Sequence, residues 1–153
     1  MPSIIQAATA AEILACRDVV FLLRPHLKNE QAYLQQVQQM MREDGYRLIF
    51  IPHPEKGGSQ AVAFAGYRYM NKLLTGKAIY IDDLATLPAH RGKGYASQLL
   101  QYIQEEAVRE DVNVIQLDSG YERTDAHRLY LNQGYRMQAH HFICRLRTGI
   151  CQR

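Results

Sequence analysis

The chain has 153 residues, 47% of them hydrophobic, three cysteines and a formal net charge of +3. That suits one domain, 1–153, whose single core removes roughly two-thirds of the extended chain's surface from water. No apolar stretch reaches the roughly eighteen residues of a membrane span, and no basic run or zinc-finger pattern suits a nucleic-acid partner.

Lys28, Lys56, Lys72 and Lys77 are scattered, so the modest positive charge amounts to a weak long-range pull on phosphate-rich ligands. Glu12 and Arg17 interrupt the apolar start that an export signal needs, and a cytoplasmic location is expected. Cys16, Cys144 and Cys151 are odd in number and lack metal-ligand spacing. They read as two core thiols and one near a loose end, with neither a disulfide framework nor a metal site.

After Ile4 and Ile5, Thr9 stands three residues before Glu12, the spacing of a capping box, so a helix begins there. Its apolar stripe is Ile13, Cys16, Val20 and Leu23, and Pro25 stops it after Arg24. Leu34, Val37 and Met41 mark a second helix closed by Gly45. Short strand-like runs at 46–51 and 61–67, separated by His53, Pro54, Gly57 and Gly58, predict a hairpin. A third strand runs from Lys77 to Thr86, where Pro88 limits it. Ala96, Leu99, Leu100, Ile103 and Ala107 give a long helix over about 93–110. A buried strand at 114–117, a short helix through Ala126, Leu129 and Tyr130, and a last strand within 135–146 complete the chain.

The junction of the third strand with the long helix carries Arg91, Gly92, Lys93, Gly94, Tyr95 and Ala96. The first amides of a helix have no acceptor within it and sit at its positive end, so a pyrophosphate can collect several hydrogen bonds there. Gly92 and Gly94 let backbone approach an anion, while Arg91 and Lys93 add charge. Neither the spacing of a Walker A loop nor that of a dinucleotide fingerprint is present.

The run R-G-K-G-Y-A resembles the acetyl-CoA signature of the GNAT acetyltransferase superfamily, commonly R/Q-x-x-G-x-G/A. Leu84, Thr86 and Pro88 match the preceding L-x-V-x-P positions, and Ala126, Tyr130, Gly134 and Tyr135 match the A-x-x-x-Y-x-x-x-G-F/Y segment. The resemblance implies an α+β fold in α/β/α layers, with a mixed, mainly antiparallel central sheet flanked by helices. It implies acetyl-CoA as co-substrate, no metal, and transfer of the acetyl group to a primary amine by direct attack in a ternary complex. Backbone at Leu84, Ala85 and Thr86 would pair with the pantetheine arm between two parting strands, and amides from Gly92 to Ala96 would hold the pyrophosphate. Ala96 replaces the commoner final glycine. Arg123 stands where many members have a cofactor-touching asparagine, and can meet a phosphate instead.

Tyr130 corresponds to the family's general acid. A phenol has a pKa of about 10 and a thiol about 8.5, so proton transfer to a departing thiolate is downhill. Asp82 and Asp83 are adjacent acids in an apolar strand, and alternation points them to opposite faces. Asp82 matches the position from which some aminoglycoside-type members present an acid, and is placed first as substrate anchor or water-mediated base. Asp83 stays in play because a bulge near Leu84 would disturb the alternation. Arg24, His26, Arg68, Tyr69 and Lys72 are candidates for the border of the acceptor entrance, with Asp118, Ser119, His127 and Arg128 as weaker site candidates. Adjacent His140 and His141 face opposite ways on a strand, which argues against their chelating one metal. A small-molecule amine is the expected acceptor. Acetylation of a protein N-terminus or lysine, and a non-catalytic acyl-CoA sensor or interaction module, are the alternatives. An exposed last strand would support a homodimer.

Overall fold

The computed structural model describes residues 2–146, and two compact units divide it, one ending at Leu117 and the next starting at Asp118. Cys151 lies outside the described residues.

The first unit opens with β1 (Ile5–Gln6), followed by α1 (Ala10–Ala15), α2 (Arg17–Leu23) and α3 (Glu30–Glu43). The capping box is formed: the Glu12 amide donates to Thr9 Oγ1 and the Thr9 amide to Glu12 Oε2, both at 3.2 Å. A single helix from Thr9 to Arg24 is expected, yet the chain breaks at Cys16. Its amide bonds Ile13 O, three residues back, and the tightened turn restarts as α2. Asn29 caps α3 by accepting from the Ala32 amide at 2.9 Å, and Gly45 follows the helix at φ 64°.

Strands β2 (Arg47–His53), β3 (Gly57–Lys72) and β4 (Gly76–Thr86) form an antiparallel meander, and β5 (Val114–Leu117) pairs with β4 in parallel after α4 (Tyr95–Arg109). The order among the described residues is β1-β2-β3-β4-β5. β3 outruns its apolar stretch at both ends because ladder bonds to β2 and β4 recruit polar flanks, as far as Lys72 opposite Gly76.

Residues of both parities in β2 are buried, so both sheet faces are covered. Leu48, Phe50 and Phe64 join Ile13, Val19, Tyr33 and Val37 in one cluster under α1–α3. On α4, Leu99, Leu100, Ile103 and Ala107 are the buried stripe, and Glu106 accepts from the Tyr67 hydroxyl and from Arg47 Nη1 at 3.0 Å. That ion pair ties the helix to β2 and β3, and a buried carboxylate held by two donors avoids the cost of an unpaired charge. The result is the mixed, mainly antiparallel sheet with flanking helices that the sequence implies. β5 is half-buried rather than buried, because no further strand covers its outer edge among the described residues.

The second unit contains α5 (Thr124–Asn132), closed by Gly134 at φ 90°. The expected last strand is not there: 135–146 adopts no regular secondary structure, with Phe142, Ile143 and Leu146 exposed. A strand needs a neighbour for its amides and carbonyls, and among the described residues no strand pairs with this segment. The last strand on which a homodimer is expected to rest does not form among the described residues. Cys16 is a core thiol, and burial pushes its pKa up; Cys144 is exposed rather than in a core.

Candidate active site

β4 and β5 stay paired only from Ala78–Val114 to Ile81–Leu117. Beyond that point β4 continues through Leu84, Ala85 and Thr86 with β3 on one side and, among the described residues, no strand on the other. The Leu87 amide donates to Val62 O at 2.8 Å, so alternation turns the main-chain groups of Ala85 toward β3 and those of Leu84 and Thr86 toward the open edge. An extended, amide-bearing chain can pair there as a short extra strand.

The turn after β4 leads straight to a bank of free donors. A 3-10 turn at Pro88–His90 places Arg91, whose Nε donates back to Thr86 O at 3.3 Å. Gly92 and Gly94 follow at φ 76° and 80°, left-handed values that a side chain makes costly. The first helical bond runs from the Gln98 amide to Gly94 O at 3.0 Å. The amides of Gly92, Lys93, Gly94, Tyr95, Ala96 and Ser97 have no acceptor among the described residues, and none of these residues is buried. No side chain caps α4. Free amides, a helix's positive end and the Lys93 ammonium make an oxyanion receptor. Burial lowers the pKa of the nearby His90 imidazole, and the charges of Lys93, His53 and Lys56 lower it further.

The acids sit one turn of chain earlier. β4 carries one residue more than β3 at this point, since Gly66 pairs with Asp83 and Tyr67 with Ile81, leaving Asp82 as the extra residue of a bulge. Opposite faces are expected for Asp82 and Asp83, but the bulge brings their carboxylates into one cluster. Asp83 accepts from Tyr46 Oη at 2.8 Å and from Arg24 Nε at 2.9 Å; Asp82 accepts from Arg68 Nε at 2.9 Å and Nη2 at 2.5 Å. The Arg68 guanidinium lies 5.5 Å from the Tyr46 ring centroid, joining the two pairs. Burial holds the Asp82 carboxyl above its usual range against the opposing pull of Arg68. Burial, then Asp83, raises the Tyr46 pKa, so this phenol stays a donor.

Tyr46 and Gly66 are site residues the sequence reading misses. A Cβ on Gly66 would fall 1.7 Å from the Tyr46 hydroxyl, so only glycine lets that ring cross β3 to reach Asp83. The available signal was an isolated glycine inside a strand, which marks a bulge or a close approach. Arg24 and Arg68, candidates for the acceptor border, are inside this cluster, whereas Tyr69 lies with Arg47, whose guanidinium is 4.7 Å from its ring. Lys72 ends β3 in solvent.

In the second unit, the Tyr130 ring stands 5.9 Å from that of Tyr135, and its hydroxyl has no hydrogen bond among the described residues. Burial raises its pKa, offset in part by Arg123, so the phenol carries its proton at neutral pH. Arg123 precedes α5 with a half-exposed side chain 3.9 Å from Glu122. The His127 ring is held 2.8 Å from Gly120 O in its own loop, and Asp118 lies 3.5 Å from His141. Among the described residues no three His, Cys, Asp or Glu side chains group as metal ligands, and no helix is long and apolar enough to cross a membrane.

The parted β4 edge, the donor bank and the layered sheet belong to one α+β fold with a mixed, mainly antiparallel sheet. The family model of the acetyltransferase (GNAT) family matches residues 14–135, and the chain belongs to that family, whose activity is acetyl-CoA-dependent acetyl transfer. Over 113 residues it is 27% identical to the uncharacterized N-acetyltransferase YhdJ of Bacillus subtilis (strain 168), covering 73% of this chain and 77% of that protein. Over 60 residues it is 42% identical to the aminoalkylphosphonate N-acetyltransferase of Salmonella typhimurium, covering 39% of this chain and 38% of that one. In fold it is similar to AAC(6')-Iy in complex with the bisubstrate analog CoA-S-monomethyl-acetylneamine, with a TM-score of 0.80, 16% identity, and 96% and 99% of the two chains covered.

Proposed function

We propose that this protein transfers the acetyl group of acetyl-CoA to a primary amine on a small molecule, by direct attack in a ternary complex. The observation that carries this reading is the run of unpaired amides from Gly92 to Ser97 beside the strandless edge of β4. In the proposed complex those amides and Lys93 hold the pyrophosphate, with Arg91 and Arg123 as further charge, and the main chain of Leu84 and Thr86 pairs with the pantetheine arm, while that of Ala85, expected to join them, is turned to β3. When bound, acetyl-CoA supplies a thioester whose carbonyl carbon gains a bond to the amine nitrogen as its bond to sulfur breaks. Asp82 anchors the incoming ammonium and takes its proton through water, which leaves the lone pair free to attack. Tyr130 returns a proton to the departing sulfur. The small-molecule reading is supported by the Salmonella relative, which by its name acts on an aminoalkylphosphonate.

Calorimetry with acetyl-CoA, together with thiol release and amide formation across amino acids, amino sugars, polyamines, aminophosphonates and peptides, tests the proposal. Binding and matched thiol and amide yields on a small amine are expected. No acetyl-CoA binding overturns it, and turnover confined to peptides moves the acceptor to proteins. Tyr130→Phe keeps the ring and removes the donor, and is expected to lower kcat about 10²- to 10⁴-fold at saturating substrates. An unchanged chemical step removes Tyr130 from the acid role.

A further inference from the structure

Resting on the acetyltransfer reading above, we infer that the acceptor carries an acidic group as well as the amine that is acetylated, and that Arg24 receives the acidic group.

Both carboxylates of the cluster already hold a cation. Arg24 binds Asp83 at 2.7 Å and Arg68 binds Asp82 at 2.5 Å, with the side chains of the two acids only 14% and 17% exposed. A substrate that brings a cation to each acid has to displace both guanidinium groups. Arg68 has somewhere to go: its Nη1 lies 3.5 Å from Asp44 Oδ2, on a half-exposed side chain, so Asp82 can pass from Arg68 to an ammonium while Arg68 keeps an acid. Among the described residues Arg24 forms no ion pair with an acid outside the Asp82 and Asp83 pair.

What Arg24 has instead is spare donors. Its Nε and Nη2 are spent on the Asp83 carboxylate and the Asp82 carbonyl, the latter at 2.8 Å. A guanidinium has five N–H groups. The two on Nη1 have no acceptor among the described residues, and the side chain keeps 28% of its surface open. The guanidinium cannot drift, because it is pinned to β4 from the end of α2, where the helix stops before Pro25. The loop it opens, Arg24 to Asn29, adds His26 and Lys28, both exposed, and contains no acid.

One wall of the cluster therefore offers a carboxylate that can exchange its cation, and the adjoining wall a fixed guanidinium with unused donors. That pairing complements a zwitterion: ammonium toward Asp82, oxyanion toward Arg24 Nη1. Carboxylate and phosphonate share the required chemistry, and a charge-assisted bond of this kind is worth about tenfold or more in binding.

The test uses the full chain and four acceptors of matched length: an aminoalkylphosphonate, an ω-amino acid, an alkylamine and a diamine. For the better zwitterion, kcat/KM is expected to exceed that of the alkylamine and of the diamine by about tenfold or more, and the two zwitterions separate phosphonate from carboxylate. In Arg24→Gln the zwitterion-to-alkylamine ratio is expected to fall toward one, mainly through KM, with Arg24→Lys in between. A purely structural role would lower all acceptors together and keep the ratio, which would overturn the proposal. If Arg24→Gln does not fold, the wild-type ratio decides alone: a diamine or alkylamine that equals both zwitterions overturns it. Failure of acetyl-CoA to bind overturns the underlying function as well, whereas binding with turnover only on amines lacking an acid overturns this inference alone.

Discussion

The turn at Gly92–Ser97 and the cluster around Asp82 and Asp83 lie on the same strand–turn–helix unit and are built on opposite plans. The turn is made of backbone whose donors are left open: no side chain caps α4, and Arg91 Nε is tied back to Thr86 O. The cluster is made of side chains that follow α2, precede β2 and lie on β3 and β4, and both carboxylates are already paired. An anionic ligand can be met by main chain, because helix ends look alike whatever the sequence. An acceptor has to be met by side chains, whose partners change from protein to protein. The first plan waits for a ligand; the second must exchange partners to admit one.

Three substitutions break that contrast, in falling order of effect. Gly94→Val forces a β-branched residue into φ 80° and should collapse the receptor, weakening acetyl-CoA by about 100-fold in calorimetry while the Asp82 and Asp83 cluster stays intact. An unchanged dissociation constant would place the phosphate elsewhere. Gly66→Ala should act the other way round. Its Cβ expels the Tyr46 hydroxyl, costs about 2 kcal/mol in denaturant unfolding and leaves acetyl-CoA affinity near wild type. Equal losses at both sites would mean that the two regions are one mechanical unit.

Asp82→Asn is the mildest, about tenfold in kcat/KM for the amine, the loss of one charge-assisted bond to the ammonium. Its signature is the pH profile. Burial raises the Asp82 pKa, so the ionised form needed to take a proton disappears as pH falls through a value above the ordinary carboxylate pKa of about 3.9. The acidic limb of kcat/KM should therefore lie above that value in wild type and vanish in Asp82→Asn. A limb that survives the substitution belongs to another group.

The legibility of the two regions follows the same division. Thr9 and Glu12, the stripe of α4 and the glycines at 92 and 94 announce local geometry, and the structure places a cap, a helix and left-handed turns there. Alternation along β4 failed at Asp82 because a bulge depends on the partner strand, and only pairing with Gly66 and Tyr67 reveals the extra residue. The strand expected within 135–146 failed for a related reason: its apolar residues suit a sheet, but a strand exists only where a neighbouring edge accepts it.

Taken alone, the order of residues determined the α4 helix, the meander and the glycine turn before α4, because capping, periodicity and the φ preference of glycine act within a few residues of chain. Tertiary structure decided which charges meet. Arg24 reaches Asp83 across 59 positions and Tyr46 across 37, and the opening that lets Tyr46 through is an absent side chain on a third strand. Contacts of that range depend on packing, which no local rule encodes.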